Sequence, residues 1–275
     1  WEATRLYSQN NSVCRFINKE VMARQILNSA VACELAKKDG IDWLVHIDVD
    51  ELFWLPRART LQSHFKTLTV NNVHLFSYCN YEAVPEKLDY DDFFKEVTLF
   101  KKNYAHLTII QRKFLRKLIK HSRFHHYTNG KSSAKTDELD FFDIHDAVLI
   151  NKSKNLKWLV YGFKEKIKMA MYRLGIIRTL SNPIILHYPV CGISHFSSKY
   201  VTLGDFSDKR FESEEQDQLP HHKAARDIVK KRDIELTKAY FVENFMIEPP
   251  ITAQLLKSKI ILRIVEPSNI LTSSV

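Results

Sequence analysis

No apolar run in the sequence approaches the roughly 20 residues that a bilayer-spanning helix needs, and no stretch has the pattern of a secretory signal peptide. Its four cysteines, Cys14, Cys33, Cys79 and Cys191, lie far apart and match no metal-ligand spacing. That argues against a zinc site and leaves free thiols or one or two disulfides open. Internal repeats, low-complexity segments and recognisable RNA- or DNA-binding signatures are also missing. An excess of acid is lacking too. With 41 Lys and Arg against 32 Asp and Glu the formal charge is +9, which favours anionic partners: nucleotide diphosphates, nucleic acid or a membrane surface. Charge alone does not choose among them, because the basic residues are spread over Lys101-Lys102, Arg112 to Arg123, Lys152 to Lys168 and Lys230 to Arg232.

The sequence does have ample apolar and aromatic content, 45% and 12% of its 275 residues, enough for the core of one large domain or a domain with an appendage. It begins at Trp1 rather than Met, so it reads as an excised portion. Asn10-Asn11-Ser12 and Asn151-Lys152-Ser153 fit the glycosylation acceptor pattern, which counts only in a secretory protein.

The most informative stretch runs from Trp43 to Phe53: Trp43-Leu44-Val45-His46-Ile47-Asp48-Val49-Asp50-Glu51-Leu52-Phe53. Strand-forming residues lead straight into three carboxylates, and the apolar pattern resumes behind them, so the acids are expected where a buried strand meets a loop. Residues two apart on a strand share a side, which predicts that Asp48 and Asp50 converge on one ligand while Val49 faces the packed layer. Adjacent acids at a buried strand end repel one another unless a cation joins them. Hard carboxylate oxygens suit Mg²⁺ or Mn²⁺, which keep positions for water and substrate phosphates. A second triplet, Asp89-Tyr90-Asp91, lies in a polar stretch with Glu86, Lys87 and Asp92 and reads as a solvated loop or helix start.

Around the acids, apolar spacing predicts a helix over Lys19 to Lys38, stopped by Asp39-Gly40. Arg24, Gln25 and Asn28 are its polar residues best suited by type to a ligand. Thr60 is placed to cap a short helix, and alternation predicts a strand over Val73 to Tyr81. Asn129-Gly130 is a turn signal, followed by Lys131, Ser132 and Ser133 as phosphate-type donors. Asp143 to Ile150 reads as a strand carrying His145 and Asp146, and residues 155–178 as a basic amphipathic helix. Ile184 to Pro189 reads as a buried strand with His187 near its end. A helix then starts at Ser194 and runs toward Leu203-Gly204, with Asp205 and Asp208 behind it. One long helix is expected over His222 to Phe245, and a late strand over Ile260 to Val265.

Taken together, Arg24-Gln25 with Asn28, Asp42-Trp43-Leu44 leading to Asp48-Val49-Asp50-Glu51-Leu52-Phe53, Asn129-Gly130-Lys131-Ser132, His187-Tyr188, and Lys199-Tyr200 ahead of Gly204 resemble the glycosyltransferases of family 92 and the related family 2-like group. The resemblance covers Arg24 to Asp233, and its specific part surrounds the acids. It implies an α/β, GT-A (Rossmann-like) nucleotide-sugar-binding domain over residues 1–246 with a mixed, mostly parallel sheet, and a C-terminal helix and extension over 247–275. It further implies a divalent cofactor, Mn²⁺ or Mg²⁺, with Asp50 and His187 as ligands and Asp48 at the ribose or the ion. Lys131 and Lys199 become candidates for the diphosphate, and Arg24, Gln25 and Asn28 for the donor. The reaction implied is transfer of a sugar from a nucleotide diphosphate to a hydroxyl of a glycan or glycoconjugate, in the secretory pathway if the source is eukaryotic.

An inverting reaction also needs a carboxylate to take the acceptor proton, for which Asp205, Asp208 and Asp146 are the candidates. Only 47 positions precede Asp48, fewer than the base-binding strands of such a domain usually occupy. Either the chain starts inside the domain or its base-binding half is abbreviated. Two other functions share some of these features. A metal-dependent phosphoesterase or nuclease would also use carboxylates and histidine, but often needs four or more ligands. A non-catalytic basic binding protein is suggested by charge and by aromatics such as Phe124 to Tyr127.

Overall fold

The structure, a computed structural model, describes residues 21–55, 60–118, 130–143, 145–150, 167, 169–171, 173–174, 182–203 and 220–273. Asp205, Asp208, Cys14, both glycosylation triplets, Phe124 to Asn129 and most of the basic segment 155–178 lie outside the described residues.

Helix α1 spans Val21–Lys38 and buries Ile26, Ala30 and Cys33 of the apolar line Met22-Ile26-Ala30-Cys33, whereas of the second line, Leu27-Val31-Leu35, Leu27 is buried and Leu35 is 50% exposed. It ends at Gly40, whose φ of +66 is left-handed. There Ile41 N–H reaches back to the Ala36 carbonyl at 2.9 Å and Gly40 N–H to Lys37 at 3.2 Å. This closing pattern satisfies the last carbonyls and needs a residue without a Cβ penalty. The chain then enters β1 (Trp43–Val45) and, after a connection, β2 (Glu51–Trp54). Helix α2 (Leu61–Val70) starts where expected, with Thr60 accepting from Ser63 N–H at 3.1 Å.

The strand expected over Val73 to Tyr81 is two strands, β3 (Leu75–Tyr78) and β4 (Asn80–Ala83), divided at Cys79 and belonging to different sheets. The short helix α3 (Phe93–Glu96) is capped by Asp92, so the second acidic triplet lies in a loop at a helix start, as read. Strand β5 (Leu99–Lys101), a 3-10 turn at Tyr104–His106 and helix α4 (Ile109–Leu118) follow. Next come β6 (Lys131–Lys135), β7 (Leu139–Phe142), β8 (Ala147–Leu149), β9 (Ile184–His187) and α5 (Ile193–Leu203). The expected long helix is broken into α6 (Pro220–Lys230) and α7 (Ile234–Phe245). Arg232 has φ +54 at the break, and Asp233 caps α7 by accepting from Leu236 N–H at 2.9 Å. Helix α8 (Pro249–Lys257), β10 (Ile261–Arg263) and α9 (Glu266–Ser273) complete the described chain.

The strands form a three-stranded sheet, β1-β6-β3, a five-stranded sheet, β10-β5-β4-β9-β2, and a hairpin, β7-β8. Among the described residues β4–β9 is the one parallel pair, so the sheet is mixed but not mostly parallel. Parallel neighbours need a long crossover, which residues 84–183 between β4 and β9 provide. The architecture is α/β and compatible with a Rossmann-like fold. Residues beyond 246 join it, since β10 extends the five-stranded sheet and Ile260 and Ile261 are fully buried.

Two short segments lead directly from a strand of the three-stranded sheet into a strand of the five-stranded one. One is Cys79, whose carbonyl accepts from Ile185 N–H at 3.0 Å. The other is His46 to Asp50, between β1 and β2. Gly130 fixes the approach of β6 beside them, because a Cβ there would lie 1.7 Å from the Tyr78 carbonyl oxygen. Fully buried Ile185 and Leu186 of β9 and Phe100 of β5 hold the five-stranded sheet, each contributing about 2 kcal/mol by leaving water. The crossing at His46 to Asp50 is thereby set on a rigid floor.

Candidate active site

Asp48, Val49 and Asp50 lie in this crossing rather than on a strand, so alternation does not apply to them. Val49 is 97% exposed instead of facing the packed layer. The segment turns on Glu51 N–H donating to the Asp48 carbonyl at 3.1 Å, and the Glu51 carboxylate closes it by accepting from Asp48 N–H at 2.9 Å. The Asp50 carbonyl accepts from Tyr188 N–H at 2.8 Å, tying the turn to the end of β9.

Each aspartate holds a lysine. Lys131, the first residue of β6 and only 1% exposed, places Nζ 2.7 Å from Asp48 Oδ2 and 3.9 Å from Glu51 Oε2. Lys199, from the middle of α5, places Nζ 2.7 Å from Asp50 Oδ2 and donates to the Pro189 carbonyl at 3.0 Å. The cations that keep the neighbouring acids from repelling one another are therefore supplied by the chain itself. Gln25 of α1 donates to the other oxygen of Asp48 at 3.0 Å, while Arg24 and Asn28 stand on the exposed side of that helix. Helix α1 is aligned for this by Ser29, whose hydroxyl donates to the Phe142 carbonyl and accepts from Phe142 N–H.

His187 ends β9 with Nε2 3.8 Å from Asp50 Oδ2. Burial lowers its pKa to about 4, against the pull of Asp50 and Glu82, so the imidazole is neutral at pH 7. Burial alone would raise Asp50, but Lys199 and then His187 outweigh it and hold the carboxyl below its ordinary range. Since His187 carries no charge above about 4, Lys199 does this work at neutral pH. Glu51 behaves oppositely: burial pushes its carboxyl up to about 7 despite Lys131 and the Asp48 N–H. Three more histidines flank the lysines. Burial and then Lys131 lower His46 and His145, and burial and then Lys199 lower His195. Glu51 and these three histidines were not singled out as site residues by the sequence reading, although Glu51 adjoins Asp50 and His46 stands two positions before Asp48.

Asp146 is exposed beside His145. Ser132 and Ser133 are used internally, Ser132 donating to the His145 carbonyl at 3.2 Å and Ser133 meeting the Tyr78 hydroxyl at 2.7 Å. Among the described residues no three His, Cys, Asp or Glu side chains are placed to share an ion. Asp50 and His187 form a pair, one carboxylate and one neutral imidazole nitrogen. A carboxylate oxygen is a donor that Mg²⁺ or Mn²⁺ takes, and here the same Asp50 Oδ2 is held by Lys199 at 2.7 Å.

Two proteins of Arabidopsis thaliana share sequence with this chain. Glycosyltransferase-like At3g57200 is 34% identical over 110 residues, 39% of this chain and 20% of that protein. Glycosyltransferase-like At2g41451 is 28% identical over 194 residues, 68% of this chain and 38% of that protein. The chain is similar to glycosyltransferase-like plant proteins. It spans only 20% and 38% of the lengths of these curated relatives. No family model matches it, and no solved structure does. At the level of family, the names point to glycosyl transfer. No helix among the described residues is long and apolar enough to cross a membrane.

The histidines give the fold a pH dependence with a definite sign. His106 and His187 are each lowered by burial to about 4. Between pH 6.5 and 4 the unfolded chain therefore binds protons that the native chain refuses, and stability falls as pH falls through that window. Glu51, raised to about 7, acts in the other direction between pH 4.5 and 7. Two histidines against one glutamate leave a net loss on acidification, at most about 1.4 kcal/mol per pH unit for each uncompensated group. Thermal melts at pH 7, 5.5 and 4.5 should show falling midpoints, and Glu51→Gln should make the fall steeper. A midpoint that stays level or rises toward pH 4.5 would contradict the neutral, buried histidines.

Proposed function

We propose that this chain is the donor-handling part of a metal-dependent glycosyltransferase that moves a sugar from a nucleotide diphosphate to a hydroxyl of a glycan or glycoconjugate. The observation that carries the reading is the pair of aspartates in the sheet-crossing turn, each bound to a lysine at 2.7 Å. The glycosyltransferase-like names of the relatives agree with it at family level. Asp50 and His187 would hold Mn²⁺ or Mg²⁺, which when bound supplies positive charge to the diphosphate leaving group.

The chain's own residues do the rest. Lys199 sits on α5 within reach of Asp50 and is the ammonium best placed to follow the diphosphate as charge develops on it. Lys131 is different in kind: it is buried, and with Gln25 it fixes Asp48, which orients the donor from beneath. Neutral His187 has at pH 7 the protonation state that a metal ligand needs. Asp146 stays a candidate for the acceptor's proton, as do Asp205 and Asp208 outside the described residues.

The test is a thermal-shift screen of the chain against nucleotide diphosphates and nucleotide sugars, with Mn²⁺ and with a chelator. A ligand present at 100 times its Kd adds about 2.7 kcal/mol to native stability. A shift confined to one nucleotide class and enlarged by Mn²⁺ is expected. The absence of any shift across the panel would remove the donor-binding reading.

A further inference from the structure

Strand β4 runs parallel to β9 with Glu82 opposite His187, and at its other end Asn80, opposite Ile185, accepts from Asn103 Nδ2 at 3.0 Å. At that far end cations gather around the 3-10 turn Tyr104–His106. Arg112 donates from Nη2 to the Tyr104 carbonyl at 2.9 Å, with its guanidinium carbon 4.3 Å from the centre of the Tyr104 ring. Arg173 donates from Nε to the next carbonyl, Ala105, at 3.1 Å. Lys102 enters the turn only 8% exposed, and its N–H bonds the Ile260 carbonyl at 3.0 Å, which brings Lys259 alongside. Gln111 ties α4 to this corner by donating to the Ser258 and Lys259 carbonyls at 2.8 and 3.1 Å. Arg116, one turn beyond Arg112, bonds the Tyr104 hydroxyl.

These groups act on one another as like charges. Burial and then Lys259 lower Lys102 to about 8, and burial followed by Lys102 and Arg173 lowers His106 to about 4. Burial, Arg173 and Arg116 all depress Arg112. Arg112, Arg173 and Lys259 form no ion pair with any described carboxylate. The neighbouring lysine is treated differently: Lys101, one position earlier, meets Glu82 at 3.0 Å. Gathering several cations at one half-buried corner is unfavourable unless an anion joins them.

We propose that this corner is a second anion site, taking a phosphate-bearing ligand between the Arg112 and Arg173 guanidiniums with Lys102 and Lys259 at its sides. Planar guanidiniums present paired N–H donors that match phosphate oxygens. A group carrying more than one negative charge fits this number of cations better than a single carboxylate does. The phosphate has two possible sources, a soluble diphosphate or a phospholipid headgroup. Ile109 and Ile110, exposed at the start of α4, would meet acyl chains in the second case.

The experiment uses the full chain with a chelator present, so that no divalent ion aids binding at Asp50. Inorganic pyrophosphate is titrated by calorimetry. Sedimentation with phosphatidylcholine vesicles, plain or containing phosphatidylinositol phosphate, forms the second arm. Arg173→Gln should weaken binding about tenfold, the equivalent of one charge-assisted hydrogen bond. Lys259→Gln should weaken it measurably, and Lys66→Gln, on the exposed face of α2, should leave it unchanged. Lys259 is exposed, so its variant decides the matter if Arg173→Gln fails to fold. Pyrophosphate binding with this pattern assigns a soluble ligand. Binding only to the phosphoinositide vesicles, with the same pattern, assigns a headgroup. The proposal is overturned if neither probe binds, if Lys199→Gln alone abolishes binding, or if Arg173→Gln and Lys259→Gln both bind as wild type.

Discussion

Asp50→Asn is expected to reduce sugar transfer at least about a hundredfold and to abolish the Mn²⁺-dependent part of donor binding, with the fold intact. The amide keeps the shape of the side chain and loses the charge that Lys199 meets and that the proposed ion would need. The local backbone has no reason to move, because the Tyr188 N–H bond goes to the Asp50 carbonyl and not to its side chain. An asparagine oxygen can still accept from Lys199, so the melting midpoint should change by only a few degrees. The measurement is twofold: a circular dichroism melt, and thermal shift with the identified nucleotide sugar with and without Mn²⁺. A variant that keeps both the manganese dependence and the turnover would show that Asp50 is not in the donor site.

Lys131→Met should be the most destabilising single change in the site, because it removes a cation and leaves two carboxylates behind. Lys131 is 1% exposed, and the side chains around it are 27% exposed at Asp48 and 3% at Glu51. Breaking a buried pair by deleting one partner costs about 3 kcal/mol or more, which for a chain of this size is a fall of roughly 6–12 °C in Tm. Asp48→Asn in the same background should recover part of that loss, with a coupling of about 1 kcal/mol or more in the double-mutant cycle. Denaturant melts of the two single variants and the double variant provide the numbers. If Lys131→Met stays within about 0.5 kcal/mol of wild type, the ammonium does not hold this turn together.

The two variants separate what the adjacent acids suggested on their own. Repulsion between neighbouring carboxylates calls for a cation, but the sequence does not say which one. The structure brings one lysine to each aspartate, Lys131 from β6 and Lys199 from α5. The metal then rests on a narrower basis, the Asp50 and His187 pair, and not on the need to neutralise the acids. Both lysines were candidates for the diphosphate in the sequence. Lys199 retains that role as a proposal, whereas burial makes Lys131 the anchor of Asp48.

Local order in this protein was legible in the residues themselves. The apolar line of α1 through Ile26, Ala30 and Cys33 and its stop at Gly40, the Thr60 cap of α2, the buried run of β9 and the loop character of Asp89 to Asp91 follow from spacing and turn chemistry. These depend on neighbours a few positions apart, and the chain carries such information directly. The break between α6 and α7 was legible in part, since Asp233 stands three residues before Leu236 as a cap. The apolar spacing continued across it and hid the break.

Tertiary structure alone decided the rest. Val73 to Tyr81 alternates as one strand would, yet it divides at Cys79 because two sheets compete for its backbone hydrogen bonds. The same division between β1 and β2 moves Asp48 to Asp50 off a strand and turns Val49 outward, so a rule of alternation fails where the chain changes sheets. Residue type and local pattern are properties of the sequence by itself, and they named the aspartates, Gln25 and Lys131, while the family resemblance gave His187 and Lys199 their roles. Which acid meets which lysine depends on sequence-distant elements packing at set distances, and that pairing exists only once the sheets have formed.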